Sequence, residues 1–387
     1  MQAYPPKLMD MLTGLIGTPS VSSVSPAFDQ GNRRVVELLA SWLDDLGFAV
    51  EIQALPGHAD KANLIARLGE GEGGLVLAGH TDTVPCDPEL WTHDPFRLTE
   101  ADNRLYGLGT SDMKSFLGLA VEAARELRTK TLKEPLYIVA TADEESSMLG
   151  ARTLVASGRP RARHAIIGEP TGLRPVRTHK GILMEAIRLR GRSGHSSDPA
   201  LGVNALEGMH QVLGEVLRWR EELQAKYRNP LFKVPVPTLN LGHIHGGDNP
   251  NRICGECELH IDLRPLPGMD LDDLRTELRS RLERLLADSP LKLDVIPLFE
   301  GTPAMETPAD APIVQLAERL TGAPAEAVAF GTEGPYFNEL DIQTVILGPG
   351  DIDQAHQPDE YLALERIAPT LDLLEQFIIS CCLAPAR

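Results

Sequence analysis

In the first and last thirds of the chain, apolar runs too short to be helices alternate with longer amphipathic stretches, and no other feature constrains the fold as much. GLVLAG, PLYIVAT, AIIGE and QTVILGPG read as buried strands, while SFLGLAVEAARELR, GARTLVAS, APIVQLAERL and LERIAPTLDLLEQFII read as helices. Two more helical patterns, LMDMLTGLIG and residues 32–46, precede them. Strands alternating with helices predict an α/β fold with a mostly parallel sheet and helices on its faces.

Between residues 180 and 292 the pattern changes. ILMEAIRLRG alternates as a strand, VNALEGMHQVLGEVLRWREELQ is a long amphipathic helix, TLNLGHIHGG and CELHIDLRP are strands, DLDDLRTELRSRLERLLAD is a second helix and LKLDVIPL a last strand. The order β-α-β-β-α-β is a compact unit in its own right. Residues 1–179 and 293–387 are therefore expected to form one catalytic domain, interrupted by a smaller α+β domain at 180–292 that serves as a lid or dimerisation domain. A chain of 387 residues, 42% of them hydrophobic, can bury both cores.

Charge and cysteine usage narrow the chemistry. Acidic residues outnumber basic ones 55 to 37, a formal charge of −18, which repels phosphate backbones and argues against nucleic acid as a partner. The odd set Cys86, Cys254, Cys257, Cys381 and Cys382 does not suit a disulfide framework. Cys254 and Cys257 fall in ICGECELHIDLR, which reads as a strand; side chains three apart on a strand face opposite ways, which suits neither a zinc knuckle nor a redox pair. The N-terminus has no basic stretch followed by an apolar core, and no apolar run reaches the length of a membrane span. FIISCCLAPA is too short for one. The expectation is a cytoplasmic protein with no membrane partner.

The strongest functional signal lies in the residues just past the end of each expected strand. GLVLAG is followed by His80 and Asp82, PLYIVATAD by Glu144 and Glu145, AIIG by Glu169, and TVILGPG leads to His356; Asp112 lies in GLGTSDMK just before a helix. In open α/β sheets ligands bind outside the carboxyl ends of the strands, so all of these side chains can converge on one sheet edge. Imidazole and carboxylate are the usual nitrogen and oxygen ligands of zinc. Five ligands exceed one catalytic zinc but suffice for two ions about 3.5–4 Å apart if one carboxylate bridges them. Taken singly, a histidine after a strand or a Glu-Glu pair is more often a hydrogen-bonded or solvated residue; it is the convergence that points to a hydrolytic metal centre.

Other motifs fail. GLG at 107–109 lacks the rest of a dinucleotide fingerprint, and GRSGH does not match the serine-hydrolase elbow. His243 and His245 share one face of a strand but read as structural residues.

Together, LAGHTDTVP, LYGLGTSDMK, ATADEE, IIGEPT, RSGHSSDPA and GPGDIDQAHQPDEY resemble the M20 family of metallopeptidases, over essentially the whole chain. The resemblance implies two zinc ions per chain, replaceable by cobalt, with Asp112 bridging them, Glu169 completing the site of His80 and Glu145 that of His356. It implies that Asp82 sits against His80 and fixes its tautomer, and that Glu144 is the general base, taking a proton from the water held by the metals and giving it to the leaving amine. It also implies a homodimer in which His195, in GRSGHSSD, reaches the partner's site and stabilises the oxyanion. Asn251 and Arg264 are candidates for the substrate carboxylate, and Glu333, in the substrate loop GTEGP, for a side-chain ammonium. The substrate implied is a small N-acyl amino acid, N2-acetyl-L-ornithine above all, hydrolysed to ornithine and acetate in arginine biosynthesis. N-acetylcitrulline, succinyl-diaminopimelate or a dipeptide are the alternatives, and a non-catalytic binding protein on the same fold is the rival from another class.

Overall fold

The computed structural model describes residues 5–125, 127 and 130–383. The first four residues, positions 126 and 128 at the end of the helix expected through Arg128, position 129 and the last four residues of the chain lie outside the described residues. The chain divides into two compact units: Met1–Arg177 with Thr307–Glu326 and Thr332–Arg387, and Thr178–Glu306 with Ala327–Gly331. The sequence pattern places the corresponding breaks at 179/180 and 292/293.

In the first unit, six strands lie in the order Ala49–Ala54, Ala62–Leu68, Leu136–Thr141, Leu75–His80, His164–Ile167 and Gln343–Ile346. The last four of these are mutually parallel, and the first two pair antiparallel at the edge. Leu136–Thr141 and Leu75–His80 are buried at every position. That is why they read as continuous apolar runs without alternation. Ala49–Ala54 and Ala62–Leu68 are not expected from sequence; AVEIQA is mostly exposed or half-buried and carries little apolar signal.

Helix Lys114–Arg125 has ten of its residues buried, and its small side chains let it sit against the sheet. Close approach is permitted by Gly79 on its strand and Gly168 just past the next: a Cβ on Gly79 would lie 2.4 Å from Met113 Cε, and one on Gly168 would lie 1.9 Å from Phe116 Cγ. Helix Arg33–Asp45 buries Val35, Val36, Leu39, Ala40, Trp42 and Leu43 on one face, the stripe its spacing predicts.

The second unit is a four-stranded antiparallel sheet in the order Thr238–Gly246, Glu256–Arg264, Leu183–Arg190 and Lys292–Pro297. Along Glu256–Arg264, Leu259, Ile261 and Leu263 are buried and alternate with half-buried Glu258, His260 and Asp262. The buried face packs in one core with Met209, Val212, Val216 and Trp219 of helix Ala205–Lys226 and with Leu274, Leu278 and Leu282 of helix Leu271–Leu285. Both helices are capped, by Asn204 accepting from the Leu206 N–H and by Asp270 accepting from those of Asp272 and Asp273. The strand begins at Glu256, so Cys254 precedes it rather than facing Cys257 across it; both thiols are free and buried.

Candidate active site

The parallel strands deliver their side chains to one edge of the first unit's sheet. His80 is the last residue of its strand and stands in register with Thr141, so the chain that turns after Thr141 brings Asp143, Glu144 and Glu145 alongside it. Gly168 and Glu169 continue the next strand. His356 arrives on the long loop after Gln343–Ile346.

Asp112 lies between the two histidines. Its Oδ1 is 3.1 Å from His80 Nε2 and its Oδ2 is 3.6 Å from His356 Nε2. His356 Nε2 is also 3.0 Å from Glu145 Oε1, and His80 Nε2 is 4.0 Å from Glu169 Oε2. Two ligand triads result, His80–Asp112–Glu169 and Asp112–Glu145–His356, each with its donor atoms within 4.8 Å of one another. Glu144 belongs to a third such group with His80 and Glu145.

The electrostatics of the cluster call for added positive charge. Burial pushes the carboxyls of Glu144 and Glu169 well above the usual carboxylate range, and neighbouring carboxylates push them further. Burial alone would depress His80, but Asp112, Glu169, Glu144 and Asp82 outweigh it and hold the imidazole well above its ordinary value. His356 is raised to about 9, chiefly by its hydrogen bond to Glu145. Glu169 Oε1 is buried without a hydrogen-bond partner, an orphan acceptor that a bound cation would satisfy. Two triads of nitrogen and oxygen donors sharing one carboxylate fit a pair of divalent ions.

The structure divides the role expected of Asp82. His80 Nδ1 lies 3.0 Å from the Asp82 main-chain oxygen, which can only accept, so Nδ1 carries the proton and Nε2 faces the acids. The Asp82 carboxylate is 3.7 Å from Nδ1, too far for a hydrogen bond. It accepts instead from the main-chain N–H groups of Glu144, at 3.3 Å, and Glu145, at 3.1 Å. The side chain holds the Glu-Glu turn, and the backbone sets the tautomer.

That turn has a second anchor which sequence reasoning missed. Asp143 takes a left-handed backbone, φ 59°, which a non-glycine residue keeps only under constraint. Its carboxylate accepts from buried Lys61 Nζ at 2.8 Å and from Ser22 Oγ at 3.2 Å, and Lys61 also pairs with Asp29. Lys114, the last residue of TSDMK, is likewise buried; its Nζ donates to the Thr18 oxygen at 2.8 Å, and burial pulls it down to about 7 against Glu360 and Asp82. A lysine in KANLIA or SDMK gives no sequence sign of burial, because its partners are scattered along the chain.

Glu333, expected to meet a substrate ammonium, is fully buried. Burial raises it to about 7, against the Thr141 hydroxyl and His80, which favour the charged form. A carboxylate with no exposed surface offers an incoming ammonium nothing to bind, so its position does not support that role. The remaining expected residues belong to the second unit. His195 is exposed, its Nδ1 2.7 Å from Ser197 Oγ. Asn251 is exposed. Half-buried Arg264 donates from Nε to Asp262 at 3.1 Å. The rings of His243 and His260 stand 4.9 Å apart, and among the described residues neither joins a group able to hold a metal.

Comparison with known proteins agrees with this geometry. Residues 76–380 match the model of peptidase family M20/M25/M40. The chain is 53% identical to the acetylornithine deacetylase of Edwardsiella ictaluri over 99% of this chain and all of that one. It is 51% identical to that of Pectobacterium carotovorum over 97% and 98%. Among solved structures, an M20 family metallo-carboxypeptidase from Sulfolobus solfataricus superimposes with a TM-score of 0.77 at 18% identity, covering 96% of this chain and 98% of that one. A dinuclear metal binding peptidase of the M20 family from Bacillus subtilis superimposes with a TM-score of 0.67 at 16% identity, covering 97% and 98%. The fold, the match across most of the length and the paired ligand triads agree: the chain belongs to peptidase family M20/M25/M40.

Proposed function

We propose that this protein is a two-zinc amidohydrolase that hydrolyses N2-acetyl-L-ornithine to ornithine and acetate. The observation that carries the chemistry is the pair of triads sharing Asp112, with buried Glu144 beside them. Identity of about half over nearly the full length to acetylornithine deacetylases supports the substrate. We assign the reaction to arginine synthesis in the cytoplasm. No helix among the described residues is long and apolar enough to cross a membrane.

His80 and Glu169 would hold one ion, Glu145 and His356 the other, and Asp112 both. Bound there, two divalent ions supply the charge that polarises the amide carbonyl and acidifies the attacking water. Glu144 takes the proton of that water on its carboxylate and passes it to the nitrogen of the leaving α-amine. Asp82 keeps Glu144 and Glu145 on their separate tasks by gripping both main-chain N–H groups. Arg264 and Asn251 are assigned to the substrate carboxylate, Arg264 for its bidentate fork. His195 acts across a homodimer on the oxyanion of the partner's site.

The test is the purified, zinc-loaded protein against N-acetylornithine, N-acetylcitrulline, N-succinyl-diaminopimelate and simple dipeptides at one pH. The highest kcat/KM should belong to N-acetylornithine; any other ranking overturns the substrate while leaving the metal chemistry standing. For the trans role, mixing His195→Ala chains with Glu144→Gln chains should restore activity, and mixed dimers that form but stay inactive would refute it.

A further inference from the structure

Glu360, four residues after His356, makes contacts that the hydrolysis itself does not use. It lies 1% exposed at the start of strand Tyr361–Ala363, which pairs with Arg104–Tyr106. Beyond Tyr106 that ladder ends, and the chain turns through GLGTSD with main-chain N–H groups that no strand can satisfy. The Glu360 carboxylate takes them over. Its Oε1 accepts from Ser111 N at 2.7 Å, Asp112 N at 3.0 Å and Gly109 N at 3.1 Å, and its Oε2 also accepts from Gly109 N at 3.1 Å. The Glu360 main-chain oxygen accepts from Gly107 N at 3.0 Å. A second tie joins the same two segments, where Ser111 Oγ and Asp351 exchange hydrogen bonds at 2.8 and 3.1 Å.

We propose that Glu360 is a positioning residue of the metal centre: by gathering the N–H groups of Gly109, Ser111 and Asp112 it sets the Asp112 carboxylate between His80 and His356, where it would serve two ions. A carboxylate is suited to this because both oxygens accept, and charge-assisted bonds of this kind are short and strong. A glutamine keeps one acceptor and turns a donor toward Gly109, so it does the work in part. The arrangement parallels Asp82, which grips the N–H groups of Glu144 and Glu145. Of the segments carrying metal-site acids, that of Asp112 and that of Glu144 and Glu145 are thus each held by a buried carboxylate from elsewhere in the chain. The inference rests on the reading of Asp112 as the shared ligand.

The experiment measures zinc affinity by competition with a chromogenic chelator, on metal-free protein shown to be folded by near-ultraviolet circular dichroism. Wild type, Glu360→Ala, Glu360→Gln, Asp112→Asn and the double variants are compared. Glu360→Ala should weaken at least one zinc site by about 10–100-fold, the usual effect of losing a partner behind a ligand, with Glu360→Gln in between. Because Glu360 works through Asp112, it should cost little further affinity in the Asp112→Asn background. If folded Glu360→Ala binds both ions as tightly as wild type, or if its effect simply multiplies that of Asp112→Asn, the proposal is wrong and Glu360 is only scaffolding. Should the alanine variant not fold, the glutamine variant carries the same cycle. A wild type that takes up fewer than two ions overturns the shared-ligand reading itself, a result distinguishable from two tight ions in every variant.

Discussion

The two histidines of the site are held in opposite ways. His80 ends a central strand, its side chain is 1% exposed, and a main-chain carbonyl fixes its ring. His356 stands on a loop in a left-handed conformation, φ 60°, with its side chain 52% exposed. The inner corner is thus built by the sheet before any ion arrives, whereas the outer corner is built by loops and faces solvent. A sheet-built corner has less ordering left to do when a cation binds, so the inner ion should be the tighter one, and the outer corner is where water and substrate can approach.

The largest expected effect tests Glu144, which stands with His80 of the inner corner and Glu145 of the outer. Glu144→Gln should keep both ions and lower turnover by roughly 10²–10⁴, the range for losing a general base. If Glu144 were instead a ligand of the inner corner, the variant would lose zinc in step with activity. Metal analysis alongside single-turnover kinetics separates the two.

A second prediction probes the cost of the inner corner's burial. Glu333 is raised to about 7 by its enclosure. The folded protein therefore holds this proton more tightly than the unfolded chain, and stability falls as pH rises from the ordinary value of 4.5 through 7. The penalty above that window is about 3 kcal/mol. In metal-free protein, Glu333→Gln should remove that decline and be the more stable form at pH 8, with no such gain at pH 4. Urea unfolding at a series of pH values reads it directly; parallel curves for wild type and variant would show that Glu333 does not titrate in this window.

The third prediction compares the corners themselves. His80→Ala should weaken zinc at one site by on the order of 10²-fold, and His356→Ala by on the order of 10-fold, extending to the ligands the scale seen for their supporting partners. Equal losses would mean that preorganisation by the sheet contributes nothing to affinity.

The same contrast explains how much can be read from sequence. The inner corner is legible because a buried parallel strand is a continuous apolar run and its ligand comes directly after it, as in LVLAGH and AIIGE. His356 lies at a distance from its strand and is placed by the company of the surrounding motif. The residues behind the ligands are not legible. Glu360 stands in HQPDEY like any solvated loop acid, yet it closes on a loop about 250 positions earlier. Lys61 and Lys114 look like surface charges and are buried against Asp143, Thr18 and Ser20. Asp82 looks like a partner of the His80 ring because it lies two residues away, while its hydrogen bonds go to a turn 62 and 63 positions on. Local pattern reveals which face is buried; it does not reveal which distant backbone needs an acceptor.

The smallest expected effect belongs to the outer corner and uses pH to separate it from the inner one. His356 is raised from 6.5 to about 9, first by its hydrogen bond to Glu145 and then by Asp112 and Glu360, against a burial that opposes. A base held above its ordinary value contributes stability that is fully present below pH 6.5 and is lost as pH climbs through 9. This window overlaps that of Glu333 only between pH 6.5 and 7, so the difference between wild type and each variant, followed against pH in metal-free protein, separates the two corners. Because the His356 side chain is half exposed, solvent screens the pair, and the contribution should stay below about 1 kcal/mol. His356→Gln should therefore flatten the curve slightly between pH 6.5 and 9 and leave the lower window untouched, while added salt should shrink the wild-type step toward the variant's. A difference between wild type and His356→Gln across pH 6.5 to 9 as large as that between wild type and Glu333→Gln would mean that His356 is enclosed in solution and that the outer corner is built as firmly as the inner. No difference between wild type and His356→Gln in this range would mean that without its ion the outer corner is open, with Glu145 and His356 apart until a cation draws them together.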